Sequence, residues 1–186
     1  LIINILSMVL IFIISLYFGI KSALNKNSFF DRFTGQLSLL SFSMPSFYLA
    51  LLLVLVFSIN FEILPIAGLH SVPDDGSFAY YLDYAWHLVL PIFIIVFGGI
   101  GSLILYIRSL TIEILKSDYI FFAQARGLSQ KQILRYYILP NLYPPVITLL
   151  GLSLPGIIGG SVILETIFSI DGMGLLFYQS ALAHDY

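Results

Sequence analysis

The sequence contains no cysteine among its 186 residues. This absence excludes a disulfide-stabilised scaffold, thiol catalysis and metal sites built on thiolates. Histidine is scarce as well: His70, His87 and His184 lie far apart, without the HxxxH or HExxH spacing of a helical metal site. The sequence also shows no Walker A motif, no dinucleotide fingerprint and no Ser-His-Asp arrangement. We therefore expect neither catalytic nor metal-binding residues in this chain.

Charged residues are also scarce. Only 10% of the residues are charged and 59% are hydrophobic, whereas a soluble domain carries about 25% charged residues. With 8 Lys or Arg and 10 Asp or Glu, the chain cannot cover a water-soluble surface. The same low charge excludes a disordered chain, which is polar and charge-rich. The composition therefore predicts an all-α, polytopic membrane protein.

Four apolar stretches are long enough to cross a bilayer, since a helix needs about 20 apolar residues to do so. We predict spans at about 1–20, 37–59, 88–107 and 143–168, within a single transmembrane domain 1–186. The fourth stretch is rich in glycine and proline, which favours either a substrate pathway or close helix packing. Its candidate residues are Gly151, Pro155, Gly156, Gly160 and Glu165.

Two of these candidates carry more specific expectations. Gly156 and Gly160 form a small-xxx-small pair, which lets another helix approach closely. Glu165 is a carboxylate near the end of a span, and such a group is expected to face protein or water because its burial in lipid is costly.

The basic residues are confined to two of the segments outside the predicted spans. All eight lie in 21–36 or 108–142, and none lies in 60–87 or 169–186. The positive-inside rule predicts that the first two loops are cytoplasmic and the other two are outside. Because topology accounts for the basic residues, we expect no nucleic-acid binding. This orientation starts and ends the chain outside, so we expect a piece of a longer protein that lacks at least one helix at each end.

The second cytoplasmic loop predicts two short helices joined by an elbow. The first covers about Asp118 to Arg126, and Gly127 suits the left-handed position that follows a helix. Ser129 and Gln132 form a capping box that opens the second helix, and Pro140 is expected to end the unit. The apolar residues expected to be exposed are Phe121, Phe122, Ala123 and Leu128. Such a surface favours a protein partner over the membrane surface.

This loop carries a recognisable motif, D-Y-x-x-x-A-x-A-[KR]-G-L-S. The matching residues are Asp118, Tyr119, Ala123, Ala125, Arg126, Gly127, Leu128 and Ser129. The chain thereby resembles the permease subunits of binding-protein-dependent ABC importers, in the oligopeptide, dipeptide and nickel branch. The general signature E-A-A-x3-G-x9-I-x-L-P is matched in part: Ala123, Gly127, Leu139 and Pro140 agree, whereas Phe121, Phe122 and Tyr137 replace Glu, Ala and Ile.

A second motif of that branch, E-T-[VI]-F-x-x-P-G-x-G followed by D-Y, supports the resemblance. Its matches are Glu165, Thr166, Ile167, Phe168, Gly172, Gly174, Asp185 and Tyr186. Asp171 stands where the branch has proline. The resemblance implies a type I ABC importer permease core, here a fragment with about four transmembrane helices and a cytoplasmic coupling helix at about 118–128.

The resemblance also implies a role and an assembly. The ATPase-coupling residues would be Asp118, Tyr119, Phe121, Phe122, Ala123, Ala125, Arg126, Gly127, Leu128 and Ser129. The partners would be a second homologous permease subunit, two cytoplasmic ATPase subunits that bind ATP and magnesium, an extracytoplasmic substrate-binding protein and the lipid of the bacterial cell membrane. The chain itself would bind no cofactor and would be non-catalytic.

The implied function is the import of peptides, nickel or a nickel chelate, with closure of the ATPase coupled to alternating access. An ion-coupled secondary transporter is the alternative. Such a transporter should carry titratable residues deep in its spans, and Glu165 alone comes close to that position.

Overall fold

The computed structural model describes residues 1–184 and, at 158 and 159, the backbone alone. Over these residues the chain is helical and has no strand. The helices are α1 Ile2–Leu24, α2 Phe29–Ser43, α3 Ser46–Leu53, α4 Phe78–Leu115, α5 Asp118–Ala125, α6 Gln130–Ile133, α7 Leu139–Gly159, α8 Val162–Ile167 and α9 Met173–Ala183. Two π-helical segments, Val54–Asn60 and Leu134–Ile138, extend α3 and join α6 to α7.

The described residues contain three continuous helical stretches that are long and apolar enough to cross a membrane: Ile2–Leu24, Phe78–Leu115 and Gln130–Ile157. The pair Phe29–Ser43 and Ser46–Asn60 is bent by 98° at its break and makes a fourth span only if the two helices together form one. The break falls at a proline, which lacks the donor for a helical hydrogen bond and keeps the preceding residue out of the helical region. The prediction of an all-α, polytopic membrane protein is confirmed.

The helices differ in extent from the predicted spans. Around 88–107, α4 is longer at both ends and includes the aromatic segment that precedes the span. Within 143–168, α7 ends at Gly159, and the next residue, Gly160, has a φ of +60°. A positive φ ends an α-helix, so α8 is a separate element.

Pro140 does not end the preceding helical unit, so that expectation is wrong. It lies in the first turn of α7, and the helix continues through it from Gln130 to Ile157. Pro140 cannot donate to the carbonyl of Tyr136, and its ring would clash there in a regular α-helix. The π-helical segment Leu134–Ile138 lies immediately before it, and such a widened turn relieves this conflict.

The chain forms two compact units. Unit 1 contains Leu1–Leu10, Met44–Gly98 and the chain from Pro155 onward, and unit 2 contains Ile11–Ser43 and Gly99–Leu154. The core of unit 1 is apolar: its buried cluster consists of Leu49, Ala50, Val54, Leu90, Ile94, Leu164, Phe168 and Ile170.

Unit 2 has a core of a different kind, in which small hydroxylated side chains are fully buried. They are Ser15, Ser22, Thr34, Ser38 and Thr111, next to the equally buried Ile104 and Ile107. Small side chains let helix backbones approach closely, which is how helices associate in lipid. Unit 2 also holds all eight basic residues of the chain.

Candidate functional site

The elbow at Gly127 adopts the conformation that the sequence predicts. Gly127 has a φ of +79°. Its N–H donates to the carbonyl of Gln124 at 2.9 Å, and the N–H of Leu128 donates to the carbonyl of Ala123 at 3.2 Å. This pair of bonds is a Schellman motif, which satisfies the last carbonyls of α5. At the other end of α5, Asp118 lies in the first turn, where a negative charge is favoured by the helix dipole.

The predicted capping box is also confirmed. The Ser129 hydroxyl oxygen accepts from the N–H of Gln132, and Oε1 of Gln132 accepts from the N–H of Ser129 at 2.9 Å. Both bonds satisfy donors at the start of α6. The two helices are therefore held on either side of the elbow by backbone hydrogen bonds that are local in sequence.

The two faces of α5 differ sharply. Phe121 and Phe122 are 67% and 63% exposed, whereas Ile120 and Ala123 are 1% exposed. The expectation that Ala123 is exposed is wrong. Residues three apart share a helix face, so the face of Ile120 and Ala123 is the one that packs within the chain.

The other predicted coupling residues also differ in how exposed they are. Leu128 is half-buried, and Gly127 forms the elbow. The remaining exposed residues of this set are Asp118, Tyr119, Ala125, Arg126 and Ser129. Replacing Ala123 by Asp would consequently bury a charge inside the subunit and would not test an exposed docking contact.

A ring stack holds α5 against the following segment. The rings of Tyr119 and Tyr137 lie 6.4 Å apart with an interplanar angle of 15°. On the outward face, the rings of Phe121 and Phe122 meet edge to face at 5.9 Å. The arrangement can present two aromatic side chains to a protein groove, the type of contact that supplies much of the energy at protein interfaces.

The second motif is brought together around Glu165. Its Oε2 accepts from the N–H of Leu175 at 2.6 Å, in the first turn of α9. The N-cap position of α9 is Gly172, which has no side chain to accept that bond. A Cβ on Gly160 or Gly172 would collide with the Glu165 carboxylate. Glu165 therefore caps α9 from another helix, and the two glycines make room for it; Asp185 and Tyr186 lie outside the described residues.

The remaining candidates in α7 make no close helix contact within the described chain. A Cβ built on Gly151 or Gly156 has no neighbour within 4 Å, and Pro155 is exposed. Besides Gly160 and Gly172 beside Glu165, the described glycines with close neighbours are Gly19, Gly99 and Gly101, which were not among the candidates predicted from the sequence. The sequence could have indicated Gly19, because it belongs to a repeat of small residues in α1 at Ser15, Gly19 and Ala23.

A charged network in unit 2 also escaped the sequence analysis. Arg108 donates to both oxygens of Asp31, from Nε at 2.6 Å and from Nη2 at 2.8 Å. Asp31 is 6% exposed and also accepts from the Ser22 hydroxyl and from the Asn27 N–H. The network joins α1, α2 and α4. One feature of the sequence could have indicated this network: Asp31 is the one acidic residue of the basic loop 21–36.

Unit 1 contains a Ser-His-Asp cluster that the sequence analysis did not find. The Ser71 hydroxyl lies 3.1 Å from Nε2 of His87, and Nδ1 of His87 lies 2.8 Å from the backbone carbonyl of Asp83. The Asp83 carboxylate accepts the N–H of Ser71 at 2.5 Å and is 3.6 Å from Nδ1. A hydrolase triad needs that carboxylate on Nδ1. The cluster instead ties the loop at Ser71 to α4.

Glu165 also borders a cavity of about 200 Å³ in unit 1. Its other polar lining residues are Asn4, Tyr84, Ser161 and Asp171. Asn4 donates to the carbonyl of Ile157 at 2.7 Å, close to the end of α7. The described residues contain no group of three His, Asp or Glu that could hold a metal ion.

Comparison with known proteins gives a match over nearly the whole chain. Residues 4–186 match the family described as the binding-protein-dependent transport system inner membrane component. The chain is 34% identical over 186 residues to the oligopeptide transport system permease protein AppB of Bacillus subtilis, covering 100% of this chain and 58% of that protein.

Two further relatives are similar over a shorter stretch. The dipeptide transport system permease protein DppB of Lactococcus lactis is 36% identical over 168 residues, which is 90% of this chain and 51% of that protein. The oligopeptide transport system permease protein OppB of Haemophilus influenzae is 37% identical with the same shares, 90% and 51%. The chain spans about half the length of the curated relatives that it matches.

Proposed function

Because the chain belongs to the family of binding-protein-dependent transport system inner membrane components, we propose that it is part of the membrane-spanning subunit of an ATP-driven peptide importer. The subunit is a multi-pass protein of the bacterial cell membrane. In this proposal it is not an enzyme, since ATP and magnesium bind to a partner ATPase. It works with a second permease subunit, two ATPase subunits and an extracytoplasmic substrate-binding protein.

The observation that carries the proposal is the geometry of α5. Phe121 and Phe122 project from a helix whose opposite face is buried. The helix ends in a Schellman motif and is followed directly by a capping box. A short helix held at both ends transmits displacement as one body, which is what a contact with a moving ATPase requires.

The proposed mechanism is alternating access. Closure of the ATPase moves α5, and the connected helices change from an inward-open to an outward-open arrangement. The partner's nucleotide state selects between two arrangements of the permease, because ATP favours the closed form of the ATPase. Residues 21–36 and 108–142 are cytoplasmic in this mechanism, as the basic residues predict.

We propose peptides as the cargo, in preference to nickel or a nickel chelate. The relatives are named as oligopeptide or dipeptide permeases, which supports a peptide over a metal. The cavity beside Glu165 is a candidate stretch of the translocation path. In unit 1, Pro155 is exposed and Gly156 has no neighbour within 4 Å, and in unit 2 the same holds for Gly151. Each position is a candidate for a contact with the second permease subunit.

The alternative of an ion-coupled secondary transporter is not favoured. Such a transporter is expected to carry titratable residues deep in its spans, in a transport role. The one candidate, Glu165, accepts a hydrogen bond from Leu175 and fills the space beside two glycines. Family membership also argues against this alternative.

Reconstitution of the complete transporter in proteoliposomes tests the proposal. We expect uptake of a labelled tripeptide to require ATP and the binding protein and to persist when ionophores collapse all ion gradients. Excess unlabelled peptide should abolish the uptake, whereas nickel should leave it unchanged. Uptake that is driven by an ion gradient without ATP would contradict the proposal.

The variants Phe121→Ser and Phe122→Ser test the contact surface. Each should weaken co-purification of the ATPase and lower peptide uptake by about tenfold, since exposed aromatic anchors dominate such interfaces. Tyr136→Ser is a matched control, because Tyr136 is 61% exposed and lies outside α5. Equal ATPase recovery from all three variants would exclude α5 as the contact.

A further inference from the structure

Unit 2 carries an apolar groove that no part of the described chain fills. Its volume is about 610 Å³. One wall is the part of α1 from Ile13 to Leu24, and the other consists of Leu134, Leu139 and Tyr143. Lys21 is the only charged residue in the lining, and the other lining residues are aliphatic or tyrosine.

Lys21 occupies a distinctive position at the end of this groove. Its Nζ donates to the Tyr17 hydroxyl at 2.9 Å and lies 4.6 Å from the centre of the Phe30 ring. Among the described residues, Arg108 forms an ion pair with Asp31 and the His87 ring lies near the Asp83 carboxylate, and Lys21 takes part in neither contact. An ammonium group has three donors, so the Tyr17 bond leaves two that can reach an anion.

We propose that this groove binds an anionic phospholipid, with the phosphate on Lys21 and an acyl chain along α1. The charge is complementary, because the groove offers one unpaired cation and no carboxylate. The order of groups is that of a lipid: an aliphatic floor ends at a cation beside aromatic rings, the residues that favour the headgroup level. Anionic lipids are abundant in the cytoplasmic leaflet, the side to which the basic residues assign Lys21.

The length of the groove favours a lipid over an additional transmembrane helix. From Ile13 to Leu24, α1 rises about 17 Å at 1.5 Å per residue. This is about half of the ~30 Å hydrocarbon core, the depth of one leaflet. A spanning helix would be expected to need a groove through both leaflets. The site goes beyond the proposed function, since it depends on neither the cargo nor the ATPase.

The experiment measures lipid retention by the complete transporter in nanodiscs that contain phosphatidylcholine with one fifth phosphatidylglycerol. After mild detergent extraction, native mass spectrometry counts the phosphatidylglycerol that stays bound. Lys21→Gln should lower the affinity for phosphatidylglycerol about fivefold and leave that for phosphatidylcholine unchanged. Lys21→Arg should retain binding because it keeps the charge, and Tyr17→Phe should retain it because it removes only the hydroxyl.

Lys26→Gln is the matched control, because Lys26 is an exposed cation of the same loop and does not line the groove. If Lys26→Gln and Lys21→Gln lowered phosphatidylglycerol binding equally, the proposal would be overturned, because the effect would then depend on net charge alone. A photo-crosslinking amino acid at Leu16 identifies the occupant directly. A phospholipid adduct is expected, and an adduct with a protein segment would overturn the proposal.

Discussion

At the scale of single residues, Gly127 shows how one backbone position sets the direction of an exposed surface. Its φ of +79° allows α5 to end in a Schellman motif and α6 to begin three residues after it, at Gln130. A Cβ at this position would have no neighbour within 4 Å. The requirement for glycine is therefore conformational and not steric.

Gly127→Val should disturb coupling without preventing insertion. A β-branched side chain costs roughly 1–2 kcal/mol in the left-handed region, so the elbow should shift and move Phe121 and Phe122. Peptide uptake and peptide-stimulated ATP hydrolysis should fall together, while the amount of protein in the membrane stays normal. Both activities are measured in proteoliposomes and normalised to transporter content.

Two controls isolate the backbone effect. Gly127→Asn should retain most activity, since asparagine tolerates a positive φ. Gly35→Val also places a Cβ in open space, but Gly35 has no positive φ. Full coupled transport by Gly127→Val would show that the elbow geometry is not required.

The pair of Asp31 and Arg108 is the second residue-scale feature. Asp31→Asn should lower the free energy of unfolding by roughly 1–3 kcal/mol, because it leaves the partly buried Arg108 charge without its counterion. Arg108→Gln should cost a similar amount, and the double variant should cost less than the sum. Thermal denaturation of the purified transporter measures each effect. As a control, Arg32→Gln at the exposed neighbouring residue should leave the free energy of unfolding nearly unchanged. If the losses of Asp31→Asn and Arg108→Gln simply added up in the double variant, the two residues would not form a direct pair.

At the scale of helices, the glycines of α1 and α4 that lie against another helix belong to unit 2. A Cβ on Gly101 would meet the Ser41 hydroxyl oxygen at 2.8 Å and the Phe42 nitrogen at 3.1 Å, so α4 approaches the backbone of α2 there. A Cβ on Gly19 would meet the Ile107 side chain at 2.8 Å and the backbone oxygen of Ile104 at 3.0 Å. The glycines of α7 have no such neighbours at 151 and 156. Small residues matter where a second backbone lies against them.

Gly101→Ala and Gly156→Ala form a matched test of this distinction. Gly101→Ala should lower the free energy of unfolding by about 1–3 kcal/mol or more, since a backbone cannot move aside as a flexible side chain can. Gly156→Ala should leave it unchanged or raise it, because alanine is the better helix former. Thermal unfolding in detergent compares the two variants. A larger loss at Gly156 would contradict the packing seen here.

At the scale of the whole molecule, the distribution of charge is the dominant feature. Unit 2 holds every Lys and Arg, whereas unit 1 holds none. The acidic loop that contains Asp74 belongs to unit 1, and the loop that contains Lys131 belongs to unit 2. This division agrees with a chain that is oriented by its basic loops.

Cysteine labelling tests the orientation directly. Asp74 and Lys131 are both exposed, and this chain has no cysteine of its own. In a cysteine-free background, Asp74→Cys should react with an impermeant thiol reagent added outside the cell. Lys131→Cys should react only after the membrane is permeabilised. Equal labelling of both in intact cells would overturn the predicted orientation.

The sequence by itself was sufficient for features that depend on neighbouring residues. Apolar run length predicted a polytopic helical protein, and Gly127 and the Ser129 capping box were predicted because their hydrogen bonds span three to five residues. Local chemistry decides such features. The same local rules were misleading at Pro140, where a π-helical turn accommodates the proline inside a continuous helix.

Only the tertiary structure decided which side chains meet across helices. Arg108 binds Asp31 from 77 residues away, Glu165 caps α9, and Ala123 is buried beside exposed phenylalanines. Hydropathy could not show these contacts. In a membrane protein, the residues that face lipid and those that face another helix are equally apolar, so the pattern along a span does not reveal how the helix is rotated.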